Sequence, residues 1–138
     1  MPSVAERCDP RILIVPVRCL IVDDNVQFLE AARRLLERDG LTVVGVASTI
    51  LEALERADEV RPDVVLVDIE LGDEDGFDLA RRLAEPGEGQ AHRVILVSTY
   101  DEADFQDLIA ASPAIGFLPK TALSGTAIRG KLDGVSGP

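Results

Sequence analysis

The chain is 138 residues long, the size of one domain with room for a sizeable core. Hydrophobic residues make up 46% and charged residues 28%, an ordinary globular balance, and the Ile12–Val22 stretch is far too short to span a bilayer. A formal net charge of -11 disfavours nucleic acid and anionic lipid as ligands of this chain and fits cationic ones, a metal ion included.

Residues 1–16 precede the first predicted element as an extension, and Cys8 within it carries no signal. Ile12–Val22 has the look of a leader's apolar region. Pro16 and Arg18 interrupt it and no small-residue cleavage site follows, so the expected location is the cytoplasm. The first strand is predicted over Val17–Val22. It contains Cys19, expected to be buried and reduced, and two cysteines are too few for a disulfide scaffold. The first helix follows, capped by Asn25 and closed by Gly40, with Phe28, Leu29, Ala32, Leu35 and Leu36 on one face.

A second strand is predicted over Leu41–Val46. The second helix opens on Thr49-Ile50-Leu51-Glu52, the pattern of a capping box, turns Leu51, Leu54 and Ala57 inward, and stops at Pro62. A third strand covers Val64–Val67, and a third helix uses Phe77, Ala80 and Leu83 and ends before Pro86-Gly87. His92 lies in the polar loop Glu85–Arg93 and is expected to be solvated. Then come a fourth strand, Val94–Val97, a fourth helix with Phe105, Leu108 and Ile109 inward, and a fifth strand, Ile115–Leu118. The fifth helix, around Leu123, Ala127, Ile128 and Leu132, is weakened by Gly125 and Gly130. Residues 133–138 read as a tail or the start of a linker.

The strands are β-branched and nearly continuously apolar, which suits a parallel sheet covered on both faces. Strand–helix alternation repeated five times predicts one doubly wound α/β domain over residues 17–132.

In such sheets ligands bind beyond the carboxyl ends of the strands. Asp23 and Asp24 follow the first strand, Asp68 the third, Ser98 and Thr99 the fourth, and Lys120 the fifth. Singly these are ordinary caps, turn residues and solvated charges. Jointly they project carboxylates, a hydroxyl and an ammonium toward one edge. Two carboxylates ~4 Å apart repel by ~4 kcal/mol at an effective dielectric of ~20, so such a cluster recruits a proton or a cation. Hard oxygen donors with room for water suit Mg²⁺. The arrangement suits phosphoryl transfer, with Asp68 as nucleophile, Lys120 and the metal neutralising the transferring group, and Ser98 donating to it.

The stretches "CLIVDDN", "VVLVDIELGDEDGFDL", "VILVST" and "IGFLPK" resemble the receiver domain of bacterial two-component response regulators. The resemblance runs from about Val17 to about Lys131, with 30 positions from Asp68 to Ser98 and 22 from Ser98 to Lys120. It implies a flavodoxin-like sheet of strand order 2-1-3-4-5. It implies Asp68 as phosphoacceptor, Asp23 and Asp24 as the metal-binding acid pair with Asp24 the more direct ligand, and the Glu70 backbone carbonyl as a further Mg²⁺ ligand. Ser98 and Phe117 would be the switch residues, and Lys120 the phosphate-pairing lysine. A plain core role for Phe117 is the alternative. A sensor histidine kinase is the implied donor, and the face formed by the fourth helix, fifth strand and fifth helix the implied contact for a partner or a second copy.

Three positions depart from the family pattern. Leu71-Gly72 replace a common Met-Pro, Glu70 adds a fourth acid near the site, and Thr121 follows Lys120 where proline with a preceding cis bond is common. A cis Lys120–Thr121 bond would cost ~3 kcal/mol. Two other functions stay open: an aspartyl-nucleophile phosphohydrolase, faintly suggested by Asp68-Ile69-Glu70, and a receiver-like interaction module independent of phosphorylation. Many relatives carry a helix-turn-helix output, which would lie outside these 138 residues and in another partner or segment.

Overall fold

The computed structural model describes residues 16–85 and 91–136. Five strands, β1 (Arg18–Val22), β2 (Thr42–Ala47), β3 (Val64–Asp68), β4 (Val94–Ser98) and β5 (Gly116–Pro119), form one parallel sheet in the order β2-β1-β3-β4-β5. The helices are α1 (Val26–Arg38), α2 (Ile50–Val60), α3 (Gly76–Ala84), α4 (Gln106–Ala111) and α5 (Gly125–Ser136). A two-residue ribbon, Glu70–Leu71 against Glu74–Asp75, interrupts the path from β3 to α3. The predicted class and strand order are those observed. The predicted tail at residues 133–138 is helical as far as Ser136, and Pro86-Gly87 and the 1–15 extension, Cys8 included, lie outside the described residues.

Strand residues alternate between two cores. Leu20, Val22, Val65, Val67, Val94, Leu96 and Phe117 face α2, α3 and α4. Cys19, Ile21, Val64, Leu66, Ile95, Val97 and Leu118 face α1 and α5. Both sides of β3 and β4 are therefore dry, which is why those strands are apolar without a polar alternation. Burial pushes the Cys19 thiol up to about 12, keeping it protonated and inert.

Local chemistry corrects some of the predicted detail. Thr49 caps α2, its Oγ1 accepting the Glu52 N–H at 3.1 Å. The return bond goes one residue further back than a capping box requires: Glu52 Oε1 accepts the Ser48 N–H at 2.9 Å and the Ser48 hydroxyl at 3.0 Å. These bonds hold the exposed Glu52 carboxyl below its ordinary range. With the helix beginning at Ile50, the buried stripe is Ile50, Ala53 and Ala57, with Leu54 beside it. Leu51, predicted inward, is 67% exposed. Leu108, also predicted inward, is 55% exposed, because α4 is only six residues long and follows a 3₁₀ turn over Glu102–Phe105. His92 is half-buried rather than solvated; its backbone N–H donates to Leu83 O at 2.8 Å, and burial lowers its pKa.

Two polar clasps join elements distant in sequence. The Asp39 carboxylate, at the end of α1, accepts the Gly125 N–H at 2.8 Å, while Arg129 of α5 donates to Asp39 O at 3.1 Å. The Glu74 carboxylate, on the ribbon after β3, accepts the Ile50 N–H at 2.8 Å and so binds that ribbon to the start of α2.

Candidate functional site

Each element delivers its polar residue by continuing the ladder one step too far. The Asp23 N–H still donates to Ala47 O at 3.0 Å, and Ile69 N–H, just past β3, donates to Val97 O at 2.9 Å. Asp68 is the last residue of β3 and pairs with Val97; Ser98 ends β4 and pairs with Pro119. Lys120 leaves β5 into a 3₁₀ turn over Lys120–Ala122. No cis peptide occurs among the described residues, so Lys120–Thr121 is trans and the lysine reaches the site without that isomer.

The acids converge. Asp23, Asp24 and Asp68 each offer a carboxylate oxygen lying within 4.8 Å of the others'. The pair that the sequence presents as an exposed strand end is in fact split: Asp23 is fully buried and Asp24 exposed. Asp23 is drawn in by its neighbours. Its Oδ1 accepts the Asn25 N–H at 2.8 Å, and Lys120 Nζ stands 2.7 Å from its Oδ2. This buried ion pair is the shorter of the two that the lysine makes. Lys120 Nζ also donates to Asp68 Oδ2 at 3.3 Å, and Glu70 N–H donates to Asp68 Oδ1 at 3.1 Å.

These contacts set the charges. Burial, then the adjacent Asp23 carboxylate, raises the Asp68 pKa to about 6, against the Glu70 N–H and Lys120, which pull it down. Burial works to lower the Lys120 pKa, but Asp23 and Asp68 outweigh it, and the ammonium is held more firmly than usual. One cation among three carboxylates leaves a net negative cluster. A net negative, all-oxygen donor set whose atoms lie within 4.8 Å of one another fits a hard divalent ion such as Mg²⁺, held by Asp23, Asp24 and Asp68.

The Glu70 side chain is exposed and is not part of the three-acid cluster, so the expected fourth acid stands apart while its backbone N–H serves Asp68. Ser98 is buried, and its Oγ accepts the Tyr100 N–H at 3.0 Å, leaving its proton available to a further acceptor. Thr99 and Tyr100 are exposed, which singles out Ser98 as the inward hydroxyl. Phe117 is buried in the α2–α3–α4 core.

Two glycines make room. A Cβ on Gly76 would lie 2.1 Å from Asp68 O, and Gly76 N–H donates to Ile69 O at 2.9 Å. Gly72 has φ +59°, a left-handed conformation that glycine adopts without strain, and a Cβ there would lie 3.3 Å from Asp24 Oδ2. The sequence reading missed Phe28, whose ring lies 4.3 Å from Lys120 Nζ, because helical periodicity assigns it only to the core.

A five-stranded doubly wound sheet carries clustered acids, a hydroxyl and a lysine at its carboxyl edge, where such α/β folds bind their ligands. The model of the response regulator receiver domain matches residues 19–129, and the chain belongs to that family. It is similar to the response regulator GacA of Pseudomonas viridiflava, 33% identical over 110 residues that cover 77% of this chain and 49% of GacA. It is also similar to a protein-glutamate methylesterase/protein-glutamine glutaminase of Myxococcus xanthus, 38% identical over 65% of this chain and 26% of that protein. The chain thus spans about half the length, or less, of these curated relatives. Among solved structures it resembles the signal receiver domain of the response regulator NarL from Mycobacterium tuberculosis, with TM-score 0.75, 29% identity and coverage of 91% of this chain and 100% of that one. No helix among the described residues is long and apolar enough to cross a membrane.

Proposed function

We propose that this receiver domain is a phosphorylation switch in which Asp68 accepts a phosphoryl group from a phosphohistidine of a sensor kinase. The observation that carries this reading is the convergence of Asp23, Asp24, Asp68 and Lys120 from three strand ends onto one point. An Asp68 carboxylate oxygen attacks phosphorus. The new O–P bond forms as the donor's N–P bond breaks, and the departing imidazole keeps the electron pair and takes a proton. Glu70 N–H and Lys120 hold the Asp68 carboxylate in a fixed orientation for in-line attack. Lys120 then pairs with the phosphoryl oxygens, and Ser98 turns its free proton toward them. Mg²⁺ held by Asp23, Asp24, Asp68 and the Glu70 carbonyl would supply the positive charge that spreads over those oxygens.

The switch output follows from Ser98 moving inward. Phe117 adjusts in the core behind it, and the surface of α4, β5 and α5 changes for a partner or a second copy. Transcriptional output through a DNA-binding domain or partner not present in this chain is the destination that fits the similarity to a transcriptional regulator of Pseudomonas aeruginosa, 34% identical over 103 residues. The domain turns over no substrate of its own beyond its phosphorylation and self-hydrolysis.

Incubation with acetyl phosphate and Mg²⁺ should add the mass of one phosphoryl group, lost in Asp68→Asn. No gain, or a gain that survives the substitution, overturns the assignment. Equal partner binding by modified and unmodified protein would instead favour the phosphorylation-independent module.

A further inference from the structure

We infer that Phe28 is a positioning residue for Lys120, and this rests on the phosphorylation reading above. Lys120 carries its charge on a flexible four-carbon stem, and fixing that stem costs rotamer freedom. Two carboxylates flank Nζ, Asp23 Oδ2 at 2.7 Å and Asp68 Oδ2 at 3.3 Å. The third wall of the ammonium's pocket is the Phe28 ring, 4.3 Å from Nζ to the ring centre, within the range where a cation is drawn to an aromatic face.

The ring is held in place by the same acid that meets the ammonium. Asp23 Oδ1 accepts the Asn25 N–H at 2.8 Å, and the Asn25 side chain in turn accepts the Phe28 N–H at 3.2 Å as the N-cap of α1. Asp23 therefore sets the first turn of α1 with one oxygen and faces the lysine with the other. Residues 92 positions apart, Phe28 and Lys120, meet because both are referenced to one buried carboxylate.

This wall matters most when the carboxylates are occupied. A divalent ion on Asp23 and Asp68 weakens their pull on the ammonium, whereas the ring's quadrupole is untouched by it. A neutral aromatic face keeps Nζ at the site without competing for the ion or the incoming phosphoryl group.

The test has two readouts. In the metal-free wild type, the ring current of Phe28 should shift the Lys120 ε-methylene proton resonances upfield, and Phe28→Leu should return them to ordinary values. With acetyl phosphate and Mg²⁺, Phe28→Leu should slow phosphorylation about fivefold, the scale of one cation–aromatic contact, while loss of the partly buried ring lowers the urea midpoint only slightly. Phe28→Tyr should restore the rate, and in a Lys120→Met background Phe28→Leu should change nothing further. A wild type without the upfield shift overturns the inference, as does a Phe28→Leu protein at wild-type rate or a loss that persists without Lys120. If the wild type takes up no phosphoryl group at all, the phosphorylation reading falls by itself, and the resonance shift still decides whether the ring holds the lysine.

Discussion

Helices α3 and α4 cover the same face of the sheet and are held to it very differently. In α3, nine residues long, Gly76, Leu79, Ala80 and Leu83 are buried. In α4, six residues long, no residue is. Asp75 Oδ1 caps α3 by accepting the Phe77 N–H at 2.9 Å, whereas Phe105 at the start of α4 has no side-chain cap. What holds the α4 region is aromatic: the Phe105 ring lies 6.0 Å from Tyr100 and 6.3 Å from Phe77, centre to centre. Rigid packing has gone to the helix that packs on the Asp68 and Ser98 strands, and loose packing to the helix that follows Ser98 in the chain. The proposed switch would need that division, because a segment can change position cheaply only where little buried surface is lost.

The largest effect that sharpens the contrast should come from Gly76→Ala. Its new methyl would collide with the Asp68 carbonyl, a backbone atom that cannot step aside, so unfolding in urea should show a loss of about 3 kcal/mol or more. Next, Leu79→Ala in α3 should cost about 3 kcal/mol and Ile109→Ala in α4 about 1 kcal/mol, since Leu79 is fully buried and Ile109 only partly. Equal losses would break the comparison.

A smaller effect concerns pH. The Asp68 pKa is raised from 3.8 to about 6, so the metal-free folded state binds this proton more tightly than the unfolded chain does. The stability this contributes is full below about pH 4 and disappears as pH rises through about 6. In the presence of a chelator, Asp68→Asn, which mimics the neutral acid, should therefore gain on wild type as pH increases over that window. A flat difference in urea midpoints would remove the electrostatic strain from the site. The smallest effect should be Leu108→Ser: at 55% exposure, it should alter stability by no more than about 0.5 kcal/mol.

The strand ends were legible because β1, β3 and β4 are buried on both faces, which forces unbroken apolar runs that stop at the polar edge, whereas the strand order came only with the resemblance to receiver domains. Asp68, Ser98 and Lys120 could be found by reading the residue that ends or follows each run. Less legible was whatever depends on where a side chain is pulled. Asp23 and Asp24 look alike in sequence, and only the Asn25 N–H and Lys120 draw Asp23 inside. Leu51 and Ile50 exchange roles because Ile50, Ala53 and Ala57 keep an i, i+3, i+7 stripe on one face, whereas Leu51, Leu54 and Ala57 at i, i+3, i+6 drift off it. Phe28 shares the spacing of Leu29 and Ala32, and nothing local says that a lysine from the far end of the chain will settle on it.

The clasp at Asp39 gives the molecule a mechanical grain. Its carboxylate grips the first residue of α5 and its carbonyl receives Arg129, so the last helix is latched to the end of the first. Because the clasp grips the first half of α5, a force applied at residue 136 would strip the last turns of that helix from the sheet first and load α1 only on reaching Arg129.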